Sequence, residues 1–400
     1  MARGYVGVGG KARKLRAIFV GVNGKARSVK TVYVGVNGKA RLCWKRPGIY
    51  KYTGTLPTLS VARSALGAAT ANDKYAIFAG GHTGSARSNV VDAYSIDLVR
   101  TNPMLLTTAV SNLFAGSIGD YAVFAGGLSG SASTSAKINA YNSSLTKTSL
   151  SKSLTTARYS GATAITGSGR GDDPKLLFAG GKNTTNNLSF SPKEEIYGLT
   201  RSLTYVGYSL PAATDSLAGA HVGEYAVFAG GALSGGNDTK SAYAYDYALI
   251  RTNLTNLSYA REDMAGGSVG NYAIFAGGTV FVSSIGTCSY GQTYTDAYDD
   301  SLTKVTIKSI PSQETLKCSM SLFNNSYVLF VGGYTRLNAA TKSVVMYDKN
   351  LTQMRSSSYY MSYASYLHAA TTIGNYAITA GGYDETNRLS TMDAWYYYDG

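Results

Sequence analysis

The sequence predicts an all-β chain: a seven-bladed β-propeller of four-stranded blades, its ring closed by an N-terminal strand, preceded by a small basic module of three β-hairpins. Three observations predict it. First, a short apolar strand runs into Gly-Gly seven times: YAIFAGG from Tyr75, YAVFAGG from Tyr121, KLLFAGG from Lys175, YAVFAGG from Tyr225, YAIFAGG from Tyr272, YVLFVGG from Tyr327 and YAITAGG from Tyr376. The second glycines fall at 81, 127, 181, 231, 278, 333 and 382, at successive intervals of 46, 54, 50, 47, 55 and 49 residues. That is the period of propeller blades with four strands each. Second, an aromatic-bearing strand follows every pair, at Tyr94, Tyr141, Tyr197, Tyr245, Tyr298, Tyr347 and Trp395. Third, residues 1 to 46 carry a separate phrase of period 14, read from Tyr5, Phe19 and Tyr33.

The order of strands within a blade follows from side-chain size. Upstream of each Gly-Gly strand lie small residues, as in SALGAAT from Ser64, SGATAIT from Ser160 and MAGGSV from Met264. Small side chains suit the innermost strand, where blades crowd around one axis. The Gly-Gly strand is second and the aromatic strand third. The polar, β-branched runs DLVRTN from Asp97, SLTKTS from Ser144, LIRTNL from Leu249 and SLTKVT from Ser301 are the outer strands.

Gly-Gly closing the second strand, tyrosine in the third, and Ala-Arg before the first in some units (Arg63, Arg158, Arg261) resemble the kelch family of β-propellers. The resemblance covers roughly residues 50 to 400. The outer-strand tryptophan usual in kelch repeats is missing, which marks a divergent, kelch-like branch. The seventh unit stops after its third strand, whereas residues 49 to 56 (IYKYTGTL) read as an outer strand without a blade before it. They are expected to complete the seventh blade, removing an exposed sheet edge.

Charge divides the chain into 1–46 and 47–400. The head holds 12 Lys or Arg and no acid, and the remainder is nearly neutral, with 25 basic against 23 acidic side chains. A uniformly basic chain would suggest nucleic acid, but here only the head can act electrostatically, and no nucleic-acid fold is recognisable. Nucleic acid is therefore not expected as a partner. No run of 18 uncharged apolar residues exists, so membrane insertion is not expected. The N-terminus shows no apolar segment of the kind a secretory signal has, so folding in a cytoplasm is expected.

Each unit of the head reads as a hairpin turning at Gly9-Gly10, Asn23-Gly24 or Asn37-Gly38, dipeptides that tolerate the positive φ of a type I′ turn. Hairpins this small bury little apolar surface and should dock on a partner or assemble between chains. Lys11, Arg13, Lys25, Arg27, Lys39 and Arg41 are the assembly candidates. The GVGGKAR and GVNGKAR wording resembles short repeats in structural and appendage proteins of tailed phages and related prophages of Gram-positive bacteria. That resemblance implies a virion protein, made in the host cytoplasm, whose residues 1 to 46 bind other virion proteins.

Groups for catalysis are scarce. His82, His221 and His368 occupy unrelated places in their units, and Cys43, Cys288 and Cys318 are too scattered for a disulfide framework or a zinc site. Neither a metal, a cofactor nor an enzymatic activity is expected. Recognition is better supplied, because connections from fourth to first strands and loops after Gly-Gly emerge on one side of a propeller. Tyr159, Tyr208, Tyr259, Tyr359, Tyr360 and Tyr363 fall in the former, and Tyr290, Tyr294, Tyr334 and Tyr383 in the latter, joined by Arg63, Arg158 and Arg261. Tyrosine among Ser, Gly and Asn suits adaptable binding, here of a bacterial surface glycan or protein. The expectation is a tail-fibre or receptor-binding protein. A purely architectural capsid or tail decoration is the alternative, with a carbohydrate-active enzyme third.

Overall fold

The computed structural model describes residues 5–8, 11–14, 18–22, 25–29, 31–36, 39–45, 48–131, 133–150, 153–167, 174–185, 189–200, 205–234, 236–282, 287–289, 293–310, 319–323, 325–335 and 339–398. They fall into two units, Met1–Thr53 with Trp395–Gly400, and Gly54–Ala394. Among the described residues the single helix is a short 3-10 turn, Ser357–Tyr359.

In the first unit, Tyr5–Val8 pairs with Lys11–Lys14, Ile18–Val22 with Lys25–Val29, and Thr31–Val36 with Lys39–Lys45, each antiparallel. The turn dipeptides themselves lie outside the described residues. Gly48–Lys51 pairs with the end of the last strand, Tyr396 opposite Tyr50 and Tyr398 opposite Gly48.

The second unit is an all-β propeller. The first repeat gives a sheet of Gly67–Ala71, Tyr75–Ala79, Val91–Ser95 and Arg100–Thr101, in that order from one edge to the other. The same order recurs in the second, fourth, fifth and sixth repeats, and in the first three strands of the seventh. The third repeat departs from it: Ala162–Thr166, Lys175–Ala179, Ser189–Leu199 and Tyr205–Asp215 belong to a six-stranded sheet whose edge strand, Ala232–Leu233, comes from the fourth repeat. The first strands of successive repeats are neighbours, and that of the seventh returns to that of the first.

Close approach explains the small residues of these inner strands. A Cβ on Gly266 would lie 2.3 Å from the Gly219 carbonyl oxygen, and one on Gly219 the same distance from that of Thr163. Hydroxyls then tie the inner strands together: Ser117 Oγ accepts from Thr70 N at 2.8 Å and Ser268 Oγ from His221 N at 2.9 Å.

The third-strand aromatics fill the space between blades. Tyr94, Tyr141, Tyr245, Tyr298, Tyr347 and Trp395 are fully buried, and five of them meet the phenylalanine of their own second strand edge-on. Four phenols also donate to a backbone carbonyl of the preceding repeat, Tyr141 to Met104, Tyr245 to Ser209, Tyr298 to Thr255 and Tyr347 to Lys308, at 2.6 to 3.2 Å. The third repeat corrects the sequence expectation. Its register sets Leu199 opposite Leu176 and Tyr197 opposite Phe178, so fully buried Leu199 takes the place that tyrosine holds elsewhere.

Candidate recognition face

In five repeats the residue after Gly-Gly forms a bridge with a residue just ahead of the first strand of the same repeat: His82 with Ser64, Leu128 with Ser111, Lys182 with Tyr159, Thr279 with Glu262 and Tyr383 with Tyr366. Each bridge prolongs the pairing of first and second strands, so the post-glycine loops and the inter-repeat connections share one side of the propeller. Tyrosines gather on it. Tyr259 and Tyr294 stack nearly parallel, 5.4 Å between centroids at 7°, and with Tyr208 and Tyr363 are 40 to 52% exposed. Tyr334 and Tyr383 are joined through Tyr366, at 4.9 and 5.5 Å. Tyr359 ends the short helix and Tyr360 follows it, both half-buried. Tyr290 lies outside the described residues.

Tyr366, absent from the sequence-derived candidates, lies in the same inter-repeat connection as Tyr359, Tyr360 and Tyr363, three residues ahead of the first strand of the seventh repeat. Tyr159 is not presented to solvent. It is buried beside Lys182, whose ammonium makes an ion pair of 2.6 Å with Asp215. That partner holds the Lys182 pKa above its ordinary value despite burial.

Arg63, Arg158 and Arg261 require correction as surface residues, since all three are fully buried. Arg63 Nη2 donates to Asp92 at 2.7 Å and to the Phe78 carbonyl at 3.2 Å. Arg261 repeats the pattern with Asp296 at 2.8 Å and the Phe275 carbonyl at 3.3 Å. Arg158 donates to the Phe178 carbonyl and lies over the Phe114 ring. Each arginine thus ties the loop ahead of a first strand to the second strand behind it. Burial pushes the Asp296 carboxyl up, but Arg261, Lys304 and Ser258 outweigh it and hold the pKa below the usual range.

At the axial end of this side, residues two positions ahead of the first strands are linked from repeat to repeat by backbone hydrogen bonds, the corresponding residue of the sixth repeat lying outside the described residues. Ala65 N donates to the Leu367 carbonyl, Asn112 N to Ala65, Ser160 N to Asn112, Ser216 N to Ser160 and Asp263 N to Ser216, at 2.7 to 3.1 Å. All six have φ between +52° and +56°. Left-handed backbone at non-glycine positions is strained and persists where surroundings over-determine it, as this chain of blade-to-blade hydrogen bonds does. These residues line an open cavity of about 250 Å³, with Asn112, Ser160, Ser216 and Asp263 its polar members among them.

The histidines stay apart. His221 is on a first strand with Nδ1 3.0 Å from Ser268 Oγ. His368 is buried against the cavity, and burial brings its pKa to about 4. His82 accepts from Gly84 N through Nδ1 at 3.0 Å. Among the described residues no three or more His, Cys, Asp or Glu side chains converge as a metal site would require.

The six assembly candidates lie on the second strands of the hairpins. Lys11 and Arg13 stand opposite Val8 and Val6, Lys25 and Arg27 opposite Val22 and Val20, and Lys39 and Arg41 opposite Val36 and Val34.

No family model matches the chain, and no curated protein does. A solved structure of YjhT is similar in fold at 17% sequence identity, covering 75% of this chain and 98% of that one, with a TM-score of 0.56. At that identity the likeness concerns the fold alone, a kelch-like β-propeller.

Proposed function

We propose that this kelch-like propeller is a non-enzymatic phage virion appendage protein of the tail-fibre or receptor-binding type. In this reading the blades number seven, the third-repeat sheet contributing one and Gly48–Lys51 completing the last. The tyrosine-bearing side binds a bacterial surface glycan or protein, and residues 1 to 46 attach the chain to other virion proteins.

The observation that carries the reading is the gathering of Tyr259 with Tyr294, and of Tyr334 with Tyr366 and Tyr383, on one side of a rigid scaffold. Partly exposed aromatic rings offer large contact area at low conformational-entropy cost. The virion assignment is supported by the GV(G/N)GKAR wording and by its basic residues standing at regular places on paired strands.

Substituting Tyr359, Tyr360 and Tyr363 together with alanine should weaken attachment to host cells while leaving the melting curve near that of the parent. Undiminished attachment would count against this side of the propeller. Loss of particle assembly, with attachment of the free chain intact, would favour an architectural role.

A further inference from the structure

The first and seventh repeats place arginine at one equivalent position. In each, the residue after Gly-Gly bridges a residue that closes the loop, His82 with Arg87 and Tyr383 with Arg388. Where the second, fourth and sixth repeats form the same bridge, the partners are Thr134, Asp238 and Ala340. The two arginines come from adjacent repeats, because the first strand of the seventh lies against that of the first. A Cβ on Gly84 would stand 3.9 Å from Arg388 Cγ, so the loop of the first repeat reaches the arginine of the seventh. His82 lies near both: burial, then Arg87, then Arg388, lower its pKa.

Unlike Arg63 and Arg261, these guanidiniums have no carboxylate partner among the described residues. Among the described residues neither Arg87 nor Arg388 makes an ion pair, and each has a buried Nε without a hydrogen-bond partner. The acids of the neighbouring loop are engaged elsewhere. Asp384 Oδ1 accepts from Thr386 N at 3.0 Å and Asn387 N at 2.6 Å, and the Glu385 carboxylate accepts from Ala340 N. Arg388 instead lies 3.8 Å over the Tyr383 ring, at the end of the row Tyr383, Tyr366, Tyr334. Half-buried cations without an ion pair among the described residues, beside aromatic rings, are arranged for a ligand that has both an anionic group and an apolar face. Guanidinium matches planar carboxylate and phosphate oxygens bidentately, and the rings match the C–H face of a sugar.

We propose that Arg87, Arg388 and the Tyr334, Tyr366, Tyr383 row form a subsite for an acidic sugar, the guanidiniums pairing with its carboxylate or phosphate. This deepens the recognition reading and rests on it. The test measures calorimetric binding of the full chain, at one ionic strength, to three probes: a polyuronate, a sugar-phosphate polymer and the methyl-esterified, uncharged polyuronate. Wild type should prefer a charged probe, and whichever of the two binds more tightly identifies the anion. Arg87→Gln with Arg388→Gln should weaken charged-probe binding about tenfold or more, removing the preference, without lowering the melting temperature. Tyr366→Ala should weaken binding to charged and neutral probes alike. Equal wild-type binding to charged and uncharged polyuronate, or indifference of the double variant, overturns the subsite; if Tyr366→Ala still loses binding, the recognition face survives. Binding to none of the three also overturns it, and wild-type attachment to intact cells then decides the recognition reading separately.

Discussion

Replacing His368 with leucine should flatten the acid side of the stability curve. His368 stands where the first, second and fourth repeats have Leu66, Leu113 and Leu217, against the axial cavity. Burial lowers its pKa from 6.5 to about 4, against the opposing effects of the Val331 backbone, Asp393 and the Ser365 backbone. Because the folded pKa is the depressed one, the full stability is present above 6.5 and is lost as pH falls towards 4. Across that window the unfolded chain takes up a proton that the folded chain refuses, which costs about 3 kcal/mol at 1.36 kcal/mol per pH unit. His368→Leu removes that dependence, and the side chain is one the equivalent positions already accommodate. Urea denaturation of both proteins at intervals between pH 4 and pH 6.5 would show it. The difference between the curves cancels the carboxylates and the other two histidines, which both proteins share. Parallel curves would refute the burial argument for His368.

Two further perturbations probe the scaffold. Arg63→Met leaves Asp92 buried without its 2.7 Å partner and should cost about 3 to 5 kcal/mol in denaturant unfolding, most of it recovered when Asp92→Leu is added. Deleting Tyr50 to Leu56 removes residues that pair with Tyr396 and its neighbours; the melting temperature should fall by about 5 °C or more, and an unchanged curve would contradict closure by this strand.

Much of the fold is legible because its constraints fall on few residues at fixed spacing. Gly-Gly marks the end of every second strand, since only glycine takes those left-handed turns against a neighbouring carbonyl: at Gly231 φ is +101° and a Cβ would meet the Asp215 oxygen at 2.5 Å. Tyrosine in the third strand is legible for the same reason, except at Leu199, where EIYG offers an aromatic two residues out of register. The arginines were misread because a lone basic residue is exposed by default. The carboxylates of Arg63 and Arg261 lie 29 and 35 residues downstream. The signal was present in the coupling of Ala-Arg to Asp-Ala-Tyr (Asp92, Asp296), two residues ahead of the core tyrosine.

This axial row was not legible at all. Its left-handed positions hold Ala65, Asn112, Ser160, Ser216, Asp263 and Leu367, with no glycine to announce them. Blade-to-blade hydrogen bonds impose that backbone, so it follows from tertiary closure rather than from local preference. Recognition residues were half legible. Loop tyrosines could be assigned to a side from strand order, but which of them touch depends on how neighbouring loops fold back, as Tyr366 does between Tyr334 and Tyr383.

The central claim is that this side of the propeller recognises a bacterial surface. Titrating the labelled full chain onto intact Gram-positive cells, with purified wall polysaccharides as soluble competitors, tests it most directly. The account predicts saturable binding confined to some strains and displaced by the matching polysaccharide or by a protease-sensitive surface component. Binding that never saturates, or that is absent from every strain, would contradict it.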